Sequence, residues 1–213
     1  MAEATKASDV EQTRIVLGLL EYVERGGEQS QRRLASELGV ALGLANAYLK
    51  RCVKKGLVKV SQAPARRYAY YLTPRGFAEK SRLTLEFMSY SFTLFRRAKT
   101  DCMAVLETAR ARGYVRIALL GASDLAEVAA ICALDGGFAI VAVVDPKIDA
   151  ERFAGAPVVR DIELLAPAPD AVMVTDMRAV AATLKTAIGK FGAERVLVPA
   201  LMGVRPNDPR GDA

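Results

Sequence analysis

Histidine is absent from this chain of 213 residues, and cysteine is scarce, with only three residues. Without histidine the chain lacks the commonest general base and the commonest metal ligand, which argues against hydrolytic and metal chemistry. Cys52, Cys102 and Cys132 are far apart and odd in number, so they suit neither a disulfide framework nor a zinc site. We therefore expect three buried free thiols, no metal site and no catalytic residue.

Long apolar runs are also missing. No run approaches the ~18 residues that a membrane span needs, and the first residues are polar, so we predict neither a membrane segment nor a signal peptide. Apolar residues nevertheless make up 52% of the chain, which is enough for folded cores. A length of 213 residues suits two small domains, and the cytoplasm is the expected location.

Acidic residues are few in the N-terminal half. Residues 1–112 hold 20 Lys and Arg against 11 Asp and Glu, a net charge of +9, whereas residues 113–213 hold 10 against 13, a net charge of −3. This asymmetry indicates that only the first half meets a polyanion.

Residues 29–72 have the pattern of a winged helix-turn-helix. Residues 29–40 are predicted to form a short helix that ends in a glycine turn, and residues 41–55 a second helix rich in Lys and Arg near its end. Residues 57–60 and 68–72 are predicted strands around a loop with two adjacent arginines. Such a unit fits its second helix into the DNA major groove and lays the loop on the flanking backbone.

The second helix and the loop supply the candidate contacts to double-stranded DNA. Asn46 and Tyr48 lie early in the helix. Asn46 can donate to and accept from adenine, and Tyr48 can reach a base or a phosphate, whereas the cations suit the phosphate backbone. The predicted DNA-binding residues are Asn46, Tyr48, Lys50, Arg51, Lys54, Lys55, Arg66 and Arg67. An ordinary solvated basic face, or a surface that binds a protein partner, would carry similar charge, and salt dependence of binding would separate these alternatives.

Two stretches of this unit have recognisable motifs. Residues 38–50 have the helix-turn-helix sequence Leu-Gly-Val-Ala-Leu-Gly-Leu-Ala-Asn-Ala-Tyr-Leu-Lys, and residues 68–80 fit the pattern Tyr-x-Tyr-x-Leu-Thr-Pro-x-Gly-x-x-Glu-Lys. Both resemble MarR-type winged-helix transcription regulators, particularly the group associated with exopolysaccharide gene clusters. The resemblance covers residues 12–90. The chain departs from the pattern at Leu44, where a polar or basic base reader is usual, and at Ala41, where a capping Ser is usual.

A long helix is predicted over residues 75–112, because it contains no Pro or Gly after residue 76. Two apolar stripes run along it, and a helix that is apolar on two faces must bury both. The first stripe is Leu83, Phe87, Tyr90, Leu94, Ala98, Cys102, Val105 and Ala109, and the second is Leu85, Met88, Phe92, Phe95, Met103 and Leu106. We expect a homodimer through this helix, although a kinked pair of helices buried within one chain would also cover both stripes.

The pattern changes after residue 113 to strands that alternate with helices. The predicted strands are residues 115–120, 138–145, 170–174 and 195–198, and the predicted helices are residues 123–134 and 177–191. Strands that are apolar on both faces indicate a doubly wound, Rossmann-like parallel sheet and an overall α/β chain. The predicted domains are the winged helix-turn-helix at 11–74, the dimerisation helix at 75–112, the Rossmann-like domain at 113–203 and a disordered tail at 204–213. Residues 1–10 are predicted to be a frayed lead-in, and residues 13–24 to form the first helix.

The turn after the first of these strands is the candidate ligand site. Gly121 stands where a Rossmann phosphate loop has its first glycine, but Ser123 replaces the second, and Asp124 adds a negative charge at the helix N-terminus, where it can cap the helix. Asp145 follows the next strand, where an acid would bind a ribose diol. Candidate ligand contacts are therefore Gly121, Ala122, Ser123 and Asp145, with no cofactor assigned and weak dinucleotide binding expected.

Residues 115–200 are similar to the Rossmann-like domains of redox-sensing repressors and of polysaccharide-synthesis sugar-nucleotide enzymes. The first of these families pairs a winged helix with a domain that binds NADH. The resemblances together imply a dimeric transcription regulator without enzymatic activity, whose second domain is a sensor of an unknown small-molecule effector or an assembly platform. The alternative is a nucleotide- or NAD(H)-dependent sensor or enzyme of sugar or redox metabolism with an accessory winged helix.

Overall fold

The computed structural model describes residues 2–26, 30–63 and 67–205. The chain divides into two compact units, Met1–Phe92 and Thr93–Ala213. The helices are α1 (Ala2–Arg25), α2 (Gln31–Leu38), α3 (Leu42–Lys54), α4 (Pro74–Ala111), α5 (Asp124–Asp135) and α6 (Val180–Phe191). The strands are β1 (Val58–Ala63), β2 (Arg67–Leu72), β3 (Arg116–Leu120), β4 (Ala139–Val144), β5 (Arg152–Phe153), β6 (Ala156–Val159), β7 (Ala171–Val174) and β8 (Val196–Leu197).

The first unit is a winged helix-turn-helix, as predicted. Ser30 caps α2, since its side chain accepts a hydrogen bond from the backbone N–H of Arg33 at 3.1 Å. Gly39 ends this helix in the left-handed conformation, with φ of +65°, and so makes the sharp turn into α3. Helix α3 begins after Ala41, which makes no side-chain cap.

Thr73 ties the hairpin to the first turn of α4. Its hydroxyl donates to the Gly56 carbonyl at 2.7 Å and accepts from the Gly76 backbone N–H at 3.0 Å. Its own backbone N–H donates to the Leu57 carbonyl at 3.1 Å. The antiparallel hairpin of β1 and β2 is thereby closed where it meets the first turn of α4.

Helix α1 is longer than the sequence indicated. It begins at Ala2, so the prediction of a frayed lead-in over residues 1–10 is wrong. Residues 2–10 lack an apolar stripe, but they include three Ala, one Glu and one Lys, which are strong helix formers. Further along, Leu19 and Leu20 are completely buried and anchor α1 in the core of the first unit.

Helix α4 is a single helix of 38 residues. Leu83 joins the core of the first unit, and Cys102, Leu106 and Ala109 join the core of the second. Most of the second predicted stripe is exposed instead, and Leu85 keeps 67% of its surface accessible. No helix among the described residues is both long and apolar enough to cross a membrane.

The second unit is built on a sheet with the strand order β5-β6-β4-β3-β7-β8. Its strands are parallel except for the antiparallel pair of β5 and β6. Alternate residues of β3 face opposite sides: Ile117 and Leu119 join the core formed with α5, whereas Ala118 and Leu120 join the core formed with α6. The predicted Rossmann-like α/β architecture is confirmed, and its switch point lies between β3 and β7.

One crossover departs from the predicted alternation of strands and helices. After β4 the chain forms β5 and then turns back to form β6, with no helix between β4 and β6. Ala154 and Gly155 form its turn with φ of +47° and +82°, the sign that a tight hairpin turn requires. The predicted tail over residues 204–213 lies outside the described residues from residue 206 onward.

Candidate nucleic-acid interface and α/β cleft

Helix α3 turns one side into the first unit and leaves the opposite side exposed. Ala45, Leu49 and Cys52 are buried, and their helical spacing fixes the rotation of α3 about its axis. The exposed side therefore begins with small and apolar residues and continues with cations. The exposed residues of α3 are Leu42, Gly43, Leu44, Ala47, Lys50, Arg51 and Lys54.

The segment around α3 carries only positive charge. Residues 38–78 contain eight Lys and Arg and no Asp or Glu. Among the described residues no carboxylate forms an ion pair with Lys50, Arg51 or Lys54. Such cations are available to phosphate oxygens, which take at least half of the hydrogen bonds in protein–DNA interfaces.

The predicted DNA-binding residues fall into two groups. Lys50, Arg51, Lys54 and Lys55 are exposed together at the C-terminal end of α3. Asn46 is half-buried, and its Oδ1 atom is buried without a hydrogen-bond partner among the described residues.

The remaining three predicted contacts are Tyr48 in α3 and Arg66 and Arg67 in the wing. Tyr48 is also half-buried and packs against the core of the first unit. In the wing, Arg66 lies outside the described residues and Arg67 begins β2. Their contacts with DNA stay predictions.

All three cysteines are free and buried, as the sequence indicated. Burial raises the pKa of Cys52 to about 11 and that of Cys102 to about 12, and it raises the pKa of Cys132 as well. The thiols are therefore protonated and unreactive near neutral pH. The described residues also hold no group of three or more His, Cys, Asp or Glu side chains that could bind a metal ion.

A cleft of about 410 Å³ opens at the carboxyl ends of the strands in the second unit. Gly121 and Asp145 line it, together with three cationic side chains and two further carboxylates that the sequence did not single out. These are Lys147, Arg160, Arg178, Asp161 and Asp176. Asp176 and Arg178 follow β7, the strand that neighbours β3 at the switch point. The strand order alone therefore indicates that both residues lie at this cleft.

Asp145 is the buried centre of this cleft, with 1% of its surface exposed. Its Oδ2 accepts hydrogen bonds from the Ala122 backbone N–H at 3.0 Å and from the Arg178 guanidinium at 2.5 Å. Its Oδ1 accepts from the Lys147 backbone N–H at 2.9 Å. Burial would raise the pKa of Asp145, but these donors outweigh burial and hold the pKa below its ordinary value.

Gly121 closes the turn after β3 against the end of β7. Its φ of +105° is rarely adopted by other residues, and a Cβ atom there would lie 2.4 Å from the Asp176 Cα. The Thr175 hydroxyl donates to the Gly121 carbonyl at 2.6 Å, which ties the two turns together. Backbone from β7 therefore occupies the space beside Gly121.

Helix α5 is capped by Ser123, not by Asp124 as the sequence suggested. The Ser123 hydroxyl accepts from the Ala126 backbone N–H at 3.3 Å and donates to the Thr175 carbonyl at 2.7 Å. Asp124 is the first residue of the helix and is exposed. Of the four candidate ligand contacts, Gly121 and Asp145 thus line the cleft, while Ala122 and Ser123 serve the turn itself.

Residues 12–59 match a family model described as winged helix-turn-helix DNA-binding. The N-terminal part of the chain therefore carries a winged helix-turn-helix DNA-binding domain, which confirms that prediction. The narrower resemblance to MarR-type regulators stays a prediction. No curated protein matches the chain.

Three solved structures that align with most of the chain are methyltransferases. N,N-8-amino-8-demethyl-D-riboflavin dimethyltransferase from Streptomyces davawensis is 13% identical, with 92% of this chain and 78% of that chain covered and a TM-score of 0.35. Human N-acetylserotonin methyltransferase in complex with SAM is 15% identical, with 92% and 76% covered and a TM-score of 0.37. An O-methyltransferase from neocarzinostatin biosynthesis in complex with S-adenosyl-L-homocysteine is 14% identical, with 89% and 80% covered and a TM-score of 0.33.

This comparison corrects one prediction. The sequence led us to expect a chain without enzymatic activity, and the comparison contradicts that expectation because the similar structures are enzymes. The exclusion of an activity is therefore withdrawn. With identities of 13–15% and TM-scores of 0.33–0.37, the likeness assigns no particular reaction to this chain.

Proposed function

We propose that this chain is a sequence-specific transcription regulator that binds double-stranded DNA through α3 and the wing. The observation that carries the proposal is the exposed cationic end of α3, within a segment of residues 38–78 that holds eight Lys and Arg and no acid. The match of residues 12–59 to a DNA-binding family model supports it. In such units the second helix enters the major groove.

Salt dependence tests this proposal. Each phosphate contact contributes a slope of about −0.9 to the dependence of log affinity on log salt concentration. Joint replacement of Lys50→Ala and Lys54→Ala should weaken binding to every duplex and make the slope shallower by about 1 per lost contact. Fluorescence anisotropy with labelled duplexes, from about 50 to about 200 mM salt, measures both quantities.

A charge-matched control is available on α6. Joint replacement of Lys185→Ala and Lys190→Ala removes the same charge from exposed positions of the second unit and should change neither affinity nor slope. If the wild-type protein binds no duplex at the lowest salt concentration, the proposed function is wrong.

We also propose that the regulator is a homodimer through α4. Leu85, Met88, Phe92 and Phe95 are exposed, and their spacing of three, four and three residues is that of the a and d positions of a coiled coil. Exposed apolar side chains in such a row are expected to pair with a second copy. Dimeric helix-turn-helix proteins bind two half-sites, so a dimer would also double the DNA contacts.

The proposed role of the α/β unit is that of a sensor or an assembly platform. A sensor would bind its effector, of unknown identity, in the cleft that Gly121 and Asp145 line. An effector can regulate DNA binding only if it binds one dimer geometry better than another. The resemblances in the sequence add the proposal that the protein works in the cytoplasm. They also add the proposal that polysaccharide genes are among its targets, and mapping of bound DNA in cells would test this second proposal.

A further inference from the structure

At the end of α3 that would meet base edges, the exposed residues lack hydrogen-bonding side chains. In helix-turn-helix proteins the N-terminal residues of the second helix contact the bases. Here the exposed side chains of that half are Leu42, Leu44 and Ala47, and Gly43 adds none. Leu42 keeps 41% and Leu44 45% of its surface exposed, although large apolar side chains gain by burial.

Asn46 does not fill this gap from its place in the structure. It lies on the side of α3 next to the buried residues, half-buried, with its Oδ1 atom enclosed and unpaired among the described residues. The cations Lys50 and Lys54 lie one and two turns further along the exposed side, where they suit phosphates. The four exposed residues in the first two turns of α3, Leu42, Gly43, Leu44 and Ala47, therefore offer no side-chain donor or acceptor for hydrogen-bond readout of bases.

Gly43 is not required by the fold. A Cβ atom there would meet nothing within 4 Å, and the residue does not have the positive φ that favours glycine. Glycine lowers helix stability relative to alanine, so its presence has a cost without a structural reason. Gly43 and Ala47 are one turn apart and leave a shallow strip that allows the helix backbone to approach a ligand closely.

We propose that α3 reads DNA by apolar contact with the 5-methyl groups of thymine, through Leu44 and Ala47, with Gly43 allowing the close approach. This inference rests on the proposed function. Thymine is the base that presents a methyl group in the major groove, and apolar side chains make contact with that group. The adjoining cations and the absence of acids in residues 38–78 suit the polyanionic backbone on either side of those methyl groups.

Thymine-to-uracil replacement tests the contact, because uracil lacks only the methyl group and keeps every hydrogen-bonding group. A duplex selected by the full-length protein from a random library is resynthesised with deoxyuridine at one thymine at a time. We expect about fourfold weaker binding for each contacted methyl group, the equivalent of one buried CH₂. Leu44→Ala should weaken binding to the thymine duplex and abolish the uracil effect at one position.

Leu164→Ala is the matched control for Leu44→Ala. Leu164 is an exposed leucine of the second unit, at 61% exposure, and its replacement should leave both affinity and uracil sensitivity unchanged.

Gly43→Ala tests the close approach of the backbone, and it should weaken binding without lowering the thermal midpoint of unfolding. Gly189→Ala is its matched control, because Gly189 in α6 is equally unobstructed, and it should leave DNA binding at the wild-type value.

The outcomes distinguish the inference from the proposed function. Equal affinity for thymine and uracil at every position of a tightly bound duplex would overturn methyl readout and leave DNA binding intact. Loss of base discrimination in Asn46→Ala, with none in Leu44→Ala, would overturn it in favour of hydrogen-bond readout. Failure to bind or select any duplex would overturn the inference together with the proposed function.

Discussion

Because Gly76 has no side chain, the first turn of α4 can lie close to the backbone of the wing. Its backbone N–H donates to the Thr73 hydroxyl at 3.0 Å, and a Cβ atom at this position would lie 2.1 Å from the Leu57 carbonyl oxygen. The Leu57 carbonyl already accepts from the Thr73 backbone N–H, so it cannot move freely. The Thr and Gly of the Thr-Pro-x-Gly sequence at residues 73–76 are thus explained by a close approach between two backbone segments.

Gly76→Ala should destabilise the first unit by about 1–3 kcal/mol, because the methyl group forces the backbone apart at a well-packed position. Urea unfolding followed by circular dichroism measures the loss. Gly43→Ala provides the control, since a methyl group there meets nothing within 4 Å. Equal stability of the Gly76→Ala protein and the wild type would contradict this account of the junction.

Asp145 is held ionised by three donors, and its substitution has a defined pH dependence. Asn carries an N–H₂ group where one carboxylate oxygen accepts, so Asp145→Asn should lose about 1–3 kcal/mol of unfolding free energy near neutral pH. Because the folded-state pKa is depressed, the stabilisation is present above the ordinary value of 3.8 and is lost as the pH falls through the lower folded-state pKa.

Urea unfolding at a series of pH values measures this difference. The wild type and Asp145→Asn should converge as the pH falls below the ordinary Asp pKa, whereas Asp9→Asn, at an exposed position of α1 beyond its first turn, should match the wild type throughout. A gap between the wild type and Asp145→Asn that stays constant with pH would show that the carboxylate charge contributes nothing.

At the scale of elements, periodicity decided what the sequence could predict. The helix-turn-helix, the wing and the strands β3, β4 and β7 have strong apolar patterns, and the structure contains them within a few residues of the predicted bounds. The hairpin of β5 and β6 was missed because strands of two and four residues are too short to show alternation. The start of α1 was missed because helix propensity, and not an apolar stripe, extends it to Ala2.

The candidate sites were less predictable than the elements that carry them. The hydrogen-bonding groups of Asn46 and Tyr48 favour them as predicted DNA contacts. The burial of Ala45, Leu49 and Cys52 fixes the rotation of α3, however, and both residues lie half-buried next to the core. The same spacing, applied as a helical wheel, would have indicated the exposed strip in advance. By contrast, the contact between Arg178 and Asp145 joins residues 33 positions apart, and no local pattern reports it.

The turn between β3 and α5 is expected to bind dinucleotides weakly. Ser123 caps α5, Asp176 crowds Gly121, and Asp145 already accepts from Arg178 where a ribose diol would bind. A pyrophosphate would also meet Asp124 at the helix N-terminus, where free N–H groups and no negative charge are normally needed. Calorimetric titration should detect no low-micromolar binding of NAD or NADH, and such binding abolished by Asp145→Ala would contradict this expectation.

At the scale of the whole molecule, charge and exposed apolar surface are separated along the chain. The net charge of +9 lies in residues 1–112 and the net charge of −3 in residues 113–213, so a polyanion is expected to be attracted to the first part alone. The exposed apolar residues of α4 lie in the same first part, which would bring two cationic α3 helices into one assembly. Assembly and DNA binding are therefore expected to depend on one another.

Solution scattering should give a mass of twice the 22.9 kDa of one chain if α4 pairs with a second copy. The proposed seam is the row of exposed apolar residues Leu85, Met88, Phe92 and Phe95. Phe92→Asp introduces a charge into this seam and should yield monomers, because burying an unpaired charge is costly. The monomers should bind a two-half-site duplex much more weakly. Leu164→Asp places the same charge at an exposed apolar position outside α4 and should remain dimeric. A wild-type mass of one chain at micromolar concentration would rule out the homodimer, and an unchanged mass in Phe92→Asp would rule out this seam as its interface.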